Sequence, residues 1–436
     1  MRCDWFLKSS RTAVLIVLCS SLIACSTIVT DRAATPSTTA AHNAEHGTVR
    51  PDGRPQRGRP SGTLVAAKLE AAKRVPVTPP QNPTAVFPSA LPKSSAAADQ
   101  MVAHFIDVGQ GDAVLLEFSC AAVLIDTGGE TTEEVVGREL LAEYLRDFFL
   151  RRADLANTLK LVVLSHAHKD HTDGVTALLE AYPQIMIQNV LDNGATSGSG
   201  ISGQKKLQRY ADETGAGYTG VAEADITSIS GATSPVIDPV DCRPGGGVDP
   251  KIIALWGRVD LDAGWANDGN NDSLVLRVDF GAASFLFTGD LEKDGITAML
   301  ESYAADTSIF DVDVLKVGHH GSHNATTKEL IAAVTPKVAV IQAGDSTASR
   351  GTFSAYSFAH PHENAIGMLL DAQNGVTMTR QAKTVRVGVR GRNPSTDAPP
   401  QFKLMEVNRA IYTTGWDGNI AVTANKNGTI HVEYGH

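Results

Sequence analysis

The chain has 436 residues and a formal net charge of -10, with 38 Lys and Arg against 48 Asp and Glu. That balance excludes a uniformly basic nucleic-acid-binding surface, although a local groove could still be positive. The length is ample for one large core behind any leader.

Arg2, Lys8 and Arg11 precede an apolar run from Thr12 to Ala24, which is too short and too lightly flanked for a permanent membrane span. It reads as an export signal. Leu22-Ile23-Ala24-Cys25 resembles a bacterial lipobox, which implies cleavage before Cys25 and lipidation of that cysteine. The plainer alternative is a secretory signal with an incidental cysteine. By the sorting rule that accompanies the resemblance, Ser26 in place of Asp favours the outer membrane. Residues 26–98 are rich in Ala, Pro, Thr, Ser and Arg, and prolines at 76, 79, 80, 83, 88 and 92 block regular structure. This stretch is expected to be a disordered tether that supplies reach without needing a binding role. The globular portion is then 99–436, and no further stretch in it reaches membrane-spanning length.

From Ala103 to Leu116 the pattern is strand, glycine turn, strand, and Val123 to Gly129 makes a third strand ending in another glycine turn. Two such turns at one sheet edge would gather Asp107, Gln110, Asp112 and Asp126. The exported portion keeps two cysteines beyond Cys25, Cys120 and Cys242. An oxidising compartment permits them to pair, or they stay as separate buried thiols, and neither lies in a metal motif.

The segment Ser165-His166-Ala167-His168-Lys169-Asp170-His171 follows an apolar, strand-length run and precedes helical spacing from Thr172. Three imidazoles and a carboxylate on such a strand-to-helix turn can converge on one point. That donor set suits zinc, manganese or iron, whereas helix capping alone would not call for four ligand-type residues. The H-x-H-x-D-H pattern resembles the signature of the metallo-β-lactamase superfamily. The resemblance implies an α/β (α+β) fold, a four-layer αββα sandwich with one or two metal ions at its rim. In order, DVGQGDA, LIDTGG, LSHAHKDH, FLFTGD and LKVGHHGS resemble the hydrolase domain of the ComEC competence-protein family. The ending IYTTGWDGNIAVTANKNGTIHV is similar to that family's C-terminal β-hairpins.

Carried over position by position, the resemblance implies metal ligands His166, His168, Asp170 and His171, a bridging Asp290, and one of His319 and His320. By analogy His319 is preferred, leaving His320 to contact substrate or to support a ligand. Asp290 could instead cap the helix that follows it. Wider superfamily members supply a further histidine between the first motif and the bridging aspartate. This chain has none from Thr172 to Asp290, so the His166 and His168 site must be completed by water, substrate or a residue such as Asn271 or Asp272. Asp170, His320 and His360 are the candidate catalytic groups. His360, in the His360-Pro361-His362 motif, either donates to a phosphate or leaving group or is a solvated loop histidine. Ser322 joins Asp107, Gln110, Asp112 and Asp126 as a candidate supporting or substrate-contacting residue. The stretches 193–203 and 267–273 are long enough to be lids over the site, or they are exposed connections.

Helices are expected near 133–149, 172–180, 291–303, 327–333 and 363–371, with strands ending at Ile125, Leu164, Phe287 and Val317 on one edge. A zinc or manganese pair can hold a hydroxide near neutral pH and stabilise charge on the substrate, and no Ser-His-Asp or Cys-His nucleophile stands out. The expected function is a metal-dependent hydrolase, specifically a phosphodiesterase or nuclease as the resemblance implies, acting on a phosphodiester or single-stranded DNA. The alternative is an envelope hydrolase of small esters, a phosphocholine ester or a lactone, because the competence channel is missing from the chain; a non-catalytic binding module is the third reading. The expected location is the cell envelope, at the outer membrane or periplasmic face. The lipid is the sole anchor, the globular domain lies outside the cytoplasm, and no stable protein partner is inferred.

Overall fold

The structure is a computed structural model that describes residues 96–435 apart from 133–134, 181–183, 260–268, 348–350, 352 and 394. The signal, Cys25 and nearly all of the 26–98 tether lie outside the described residues. No helix among the described residues is long and apolar enough to cross a membrane.

Strand alternation decides the architecture. Along Val114–Glu117 and Ala122–Ile125, the side chains of Val114, Leu116, Val123 and Ile125 enter one apolar cluster while Leu115 and Leu124 enter another. Successive strand residues point to opposite faces, so both faces of this sheet are apolar and both need a cover. One face is covered by helices Gly137–Arg151, Gly174–Glu180 and Ile201–Thr214 through Leu141, Phe148, Val175, Leu178 and Leu207. The other meets a second sheet, whose Ile252, Leu276, Phe285 and Phe287 share the larger cluster. Helices Lys293–Ser302, Lys328–Val334 and Glu363–Leu369 add Met299, Ile331 and Leu369 to it as the fourth layer.

The first sheet has eight strands in the order Ile430–Gly435, Asn419–Asn425, Gln100–Phe105, Val114–Glu117, Ala122–Ile125, Leu161–Val163, Asn189–Asp192 and Gly217–Gly220. The second has six, in the order Ile411–Thr413, Val338–Ile341, Val314–Lys316, Ala283–Phe287, Val275–Phe280 and Lys251–Trp256. The strands ending at Ile125, Val163 and Asp192 pair in parallel, and so do those ending at Phe287, Lys316, Ile341 and Thr413. Their carboxyl ends deliver the following loops to one rim. That is where ligands of open α/β sheets collect.

Four of the five expected helices appear; the one expected from 363 starts at Glu363, and the other three start one to four residues later than expected. The expected helix at 172–180 is broken into Lys169–Thr172 and Gly174–Glu180. Helix Ile201–Thr214 was not expected, because glycines at 198, 200 and 203 disguised its start; it buries Leu207 and Ala211 on one face. The C-terminal segment is split between the sheets: Ile411–Thr413 extends the second, and the 419–435 hairpin forms the edge of the first.

Cys120 and Cys242 form a disulfide with Cα atoms 5.4 Å apart, resolving the two alternatives in favour of pairing. The bond spans 122 residues and ties the turn after Val114–Glu117 to the approach of Lys251–Trp256, thus one sheet to the other. Closing a loop of that size stabilises the fold by about 4–5 kcal/mol in the chain-entropy model. Thermal denaturation of the Cys120→Ser/Cys242→Ser variant should show a midpoint lowered by several degrees, and addition of reductant should not lower it further. An unchanged midpoint would show that the bond contributes nothing.

Candidate metal centre

The glycine turns anticipated in the sequence clamp the histidine loop from beneath. Asp112 and Thr127 donate backbone N–H groups to the carbonyls of Asp170 (2.9 Å) and His171 (2.8 Å). A Cβ on Gly128 would lie 1.3 Å from the Asp170 carbonyl oxygen, so only glycine permits this approach. Asp126, at the end of its strand with φ of +58°, accepts from the Ser165 N–H (2.7 Å) and hydroxyl (2.8 Å) and from His171 Nδ1 (2.8 Å). Such a left-handed backbone at a non-glycine residue is held only where the surroundings over-determine it, and it is commonest at functional sites.

With Nδ1 anchored on Asp126, the ring of His171 directs Nε2 to 3.1 Å from Asp290 Oδ2. His320 repeats the arrangement: Nδ1 donates to the Gln342 carbonyl (2.8 Å), and Nε2 lies 3.2 Å from Asp170 Oδ2 and 3.4 Å from Asp290 Oδ2. One ligand-type atom each from Asp170, His171, Asp290 and His320 all lie within 4.8 Å of one another. The Nε2 atoms of buried His166 and His171 have no hydrogen-bond partner among the described residues. Imidazoles held by one nitrogen and orphaned at the other, facing carboxylates, fit a divalent cation of the zinc or manganese type.

The charges agree with that fit. Burial alone would lower His171 and His320, but Asp290 and Asp112, joined by Asp126 at His171 and by Asp170 at His320, hold both well above the ordinary histidine value. Conversely, burial would raise Asp290, and the imidazoles of His171, His320 and His319 keep it well below the usual carboxylate range. His166 and His360 go the other way, pushed well down first by burial and then by neighbouring imidazoles. Behind the cluster the ammonium of Lys316 touches Asp112, donates to the Gly289 carbonyl (3.1 Å) and lies 4.0 Å from Asp290 Oδ1.

Residues 106–345, over half the chain, match the family model described as the Metallo-beta-lactamase superfamily. The chain belongs to that superfamily. It is 26% identical over 315 residues to ComE operon protein 3 of Bacillus subtilis, covering 69% of this chain and 35% of that protein. It is 27% identical over 283 residues to Recombination protein 2 of Haemophilus influenzae, covering 65% and 28%. The chain thus spans about a third of the length of these ComEC-family relatives. Among solved structures, the metallo-β-lactamase fold protein YhfI from Bacillus subtilis superposes with a TM-score of 0.33 at 12% identity, over 56% of this chain and 85% of that one. The fold and the family make this chain a metal-dependent hydrolase.

Within this superfamily member, the sequence motifs converge, with corrections. The expected order of the double histidine is reversed: His320 reaches the cluster, while His319 places Nδ1 3.0 Å from Glu292 and keeps Nε2 3.8 Å from Asp290 Oδ2. The reason is backbone geometry, since both residues are left-handed, with φ of +47° and +53°, which turns successive side chains in unexpected directions. His168 is half-buried beside His166, with ring centroids 4.6 Å apart, and faces Gly269. Gln110 donates to His360 Nδ1 at 3.2 Å, and Asp112 lies 3.3 Å from His320 Nδ1. Asp107 accepts from the N–H of Gly109 and donates its own N–H to the Asn419 side chain (2.8 Å), and Ser322 donates to Asn324 (2.7 Å). Asn271 does not complete the thin site, because its amide oxygen caps the helix Lys293–Ser302 by accepting from Glu292 and Gly295; Asp272 accepts from Val259.

The stretch 193–203 is not a lid either. The Gly200 N–H donates to Ala167 (2.7 Å) and its carbonyl accepts from Thr172 (2.8 Å), so it walls the histidine loop. The first residues of 267–273 lie outside the described residues; Ser273, at its end, accepts the Asp290 N–H at 2.9 Å. Sequence reasoning missed Lys316, Glu292 and Gln342. A lysine inside the apolar strand Val314–Lys316 was the one available signal.

Cation binding must displace the protons that the carboxylates hold on His171 and His320. Affinity should therefore rise with pH and weaken as pH falls, with up to about two protons released per ion. Calorimetric titration with manganese or zinc in buffers of different ionisation enthalpy measures that number. A pH-independent affinity with no proton release would contradict the charge arrangement described.

Proposed function

We propose that this protein is a phosphodiesterase acting on nucleic acid, exported and lipid-anchored through Cys25, with 26–98 as a tether. The observation that carries the reading is His360 beside the metal centre. Its ring lies 5.8 Å from His319 and 6.2 Å from His320, where a substrate held at the cluster would meet it. The names of the relatives, a competence operon protein and a recombination protein, support nucleic acid as the substrate.

In this reading His166 and His168 hold one ion, and Asp170, His171, Asp290 and His320 hold the other. When bound, one or two zinc or manganese ions supply hydroxide from water and screen charge on the phosphoryl oxygens. Asp170, its backbone clamped by the glycine turns, orients the attacking group. Burial keeps His360 neutral, and a hydrogen bond accepted at Nδ1 from Gln110 leaves its proton on Nε2, available to a phosphate oxygen or leaving alkoxide. Lys316 balances Asp112 and Asp290, so that the carboxylates stay ionised without repelling the phosphate further. His319, steadied by Glu292, faces His360 across the same rim and contacts substrate.

Turnover of bis-p-nitrophenyl phosphate, single-stranded DNA and a lactone panel, with manganese or zinc present, tests the reading. Both phosphodiesters should be cleaved and the lactones spared; turnover of lactones alone would establish the envelope-ester alternative instead. Asp290→Ala and His320→Ala should each lose at least about a hundredfold in metal affinity and activity, and His319→Ala should lose less than either. Equal loss in the two histidine variants would undo the proposed ligand order. Separately, Cys25→Ser should move the protein out of membrane fractions with hydrolysis intact, since a lipid chain contributes affinity through its buried methylenes. Retention in membranes after a high-salt wash would end the lipoprotein reading.

A further inference from the structure

Outside the metal cluster, the chain carries one more group of side chains arranged as a binding surface. Phe353 and Phe358 are exposed by 37% and 40%, and they are the two exposed phenylalanines among the described residues. They sit together, with ring centroids 5.4 Å apart and planes at 87°. Phe358 in turn stacks on His360, 5.7 Å away with planes 30° apart, and His360 is nearly parallel to His320. A file of rings thus runs from the metal centre to the solvent. Leaving two large aromatic faces in water forgoes their burial, so a ligand with a flat apolar face would be drawn to them.

The neighbouring hairpin, Thr379–Arg390 paired with Gln401–Arg409, brings positive charge to the same place. Its strand is stitched to the aromatic segment by Gly388 N–H to the Pro361 carbonyl (2.8 Å), Arg392 N–H to the Ser357 carbonyl (2.8 Å) and His362 Nε2 to the Val389 carbonyl (3.0 Å). Arg390, between those contacts, is exposed and has no carboxylate partner among the described residues. Arg386 lies 3.9 Å over the ring of Phe402, which packs on Tyr356, and it too has no carboxylate partner among them. In a chain of net charge -10, the exposed guanidinium of Arg390, without a carboxylate partner among the described residues, beside the segment that carries the exposed rings and a hydrolytic centre marks a strip for an anionic, ring-bearing polymer.

We infer that Phe353, Phe358 and Arg390 form a base-stacking subsite, in which unpaired nucleobases lie on the two rings while Arg390 holds the backbone that leads to the metal centre. The inference rests on the phosphodiesterase reading for what happens next to the strand, and not for its binding. The bases of a duplex are already stacked on one another, so the subsite selects single strands. Stacking on one aromatic side chain contributes about 1–3 kcal/mol per base, which is roughly a 5- to 150-fold change in affinity.

The test is fluorescence anisotropy of the manganese-loaded full-length protein with a hydrolysis-resistant phosphorothioate oligothymidylate and with an abasic oligomer of equal length and charge. Phe358→Ala should bind the oligothymidylate about tenfold more weakly, with its affinity for the abasic oligomer unchanged, and Phe358→Trp should restore or tighten binding. Arg390→Ala should weaken both oligomers alike and flatten their salt dependence. Equal binding of the two oligomers by the unaltered protein, or an equal loss on both from Phe358→Ala, would overturn the subsite. If the binding pattern appears but natural single strands are not cleaved, the catalytic reading fails and the subsite stands. If they are cleaved with the same KM by Phe358→Ala, the subsite fails and the catalytic reading stands.

Discussion

The structure depends on the way charge is balanced around one point. Asp112, Asp126 and Asp290 are buried, and Asp170 stands at their edge with 14% of its side chain exposed. Each unpaired carboxylate in such surroundings would cost several kcal/mol. Among the described residues the protein faces them with one permanent cation, Lys316, and with imidazoles whose charge is conditional. Lys316 serves Asp112 from behind, so His171 and His320 are left to answer Asp290 and Asp170 from the front. A divalent cation answers them better, since it replaces two protons at once. The fold therefore carries its own preference for a metal.

This balance explains the architecture around it. Parallel strands in both sheets end at the same rim, and apart from Asp112, in the turn before Val114–Glu117, the charged members of the cluster sit at or just beyond such an end: Asp126 after Ile125, the histidine loop after Val163, Asp290 after Phe287, Lys316 and His320 at the next strand. Gln342, following Val338–Ile341, ties the sheets together at that level. Its amide donates to the carbonyls of Ile106 (3.1 Å) and Ala113 (2.8 Å), while its own carbonyl holds His320. Packing between the sheets thereby fixes the distance between groups that come from opposite halves of the sandwich.

How much of this was legible in the sequence depended on whether the information was local. The histidine loop, Asp290 and the glycine turns were readable because each motif declares its chemistry within a few residues and sits between a strand and a helix. The roles of His319 and His320 were not, because they turn on two consecutive left-handed residues that no spacing rule reports. Asn271 looked like a spare ligand in one dimension and is a helix cap in three. Lys316 was hidden in an apolar strand because its partner Asp112 is about two hundred residues away. The helix Ile201–Thr214 was obscured by glycines whose purpose is close packing against the histidine loop, a tertiary requirement that overrides local propensity.

The division between general chemistry and particular substrate also follows the chain. Every residue proposed as a metal ligand lies within 106–345, the part that matches the superfamily model. His360, Phe358 and Arg390 all lie in the excursion between Val338–Ile341 and Ile411–Thr413, strands that are parallel neighbours in the second sheet. A connection between parallel neighbours must leave one end of the sheet and return to the other, so it has length to spare and can carry a helix, a hairpin and exposed rings without disturbing either strand. The hydrolytic centre is constrained by both sheets at once, whereas this crossover packs on the second sheet through Ile366, Leu369, Val385 and Val387 and leaves Phe353, Phe358 and Arg390 exposed. Changes in substrate preference can therefore accumulate in the crossover while the charge balance at the metal centre stays as the fold requires it.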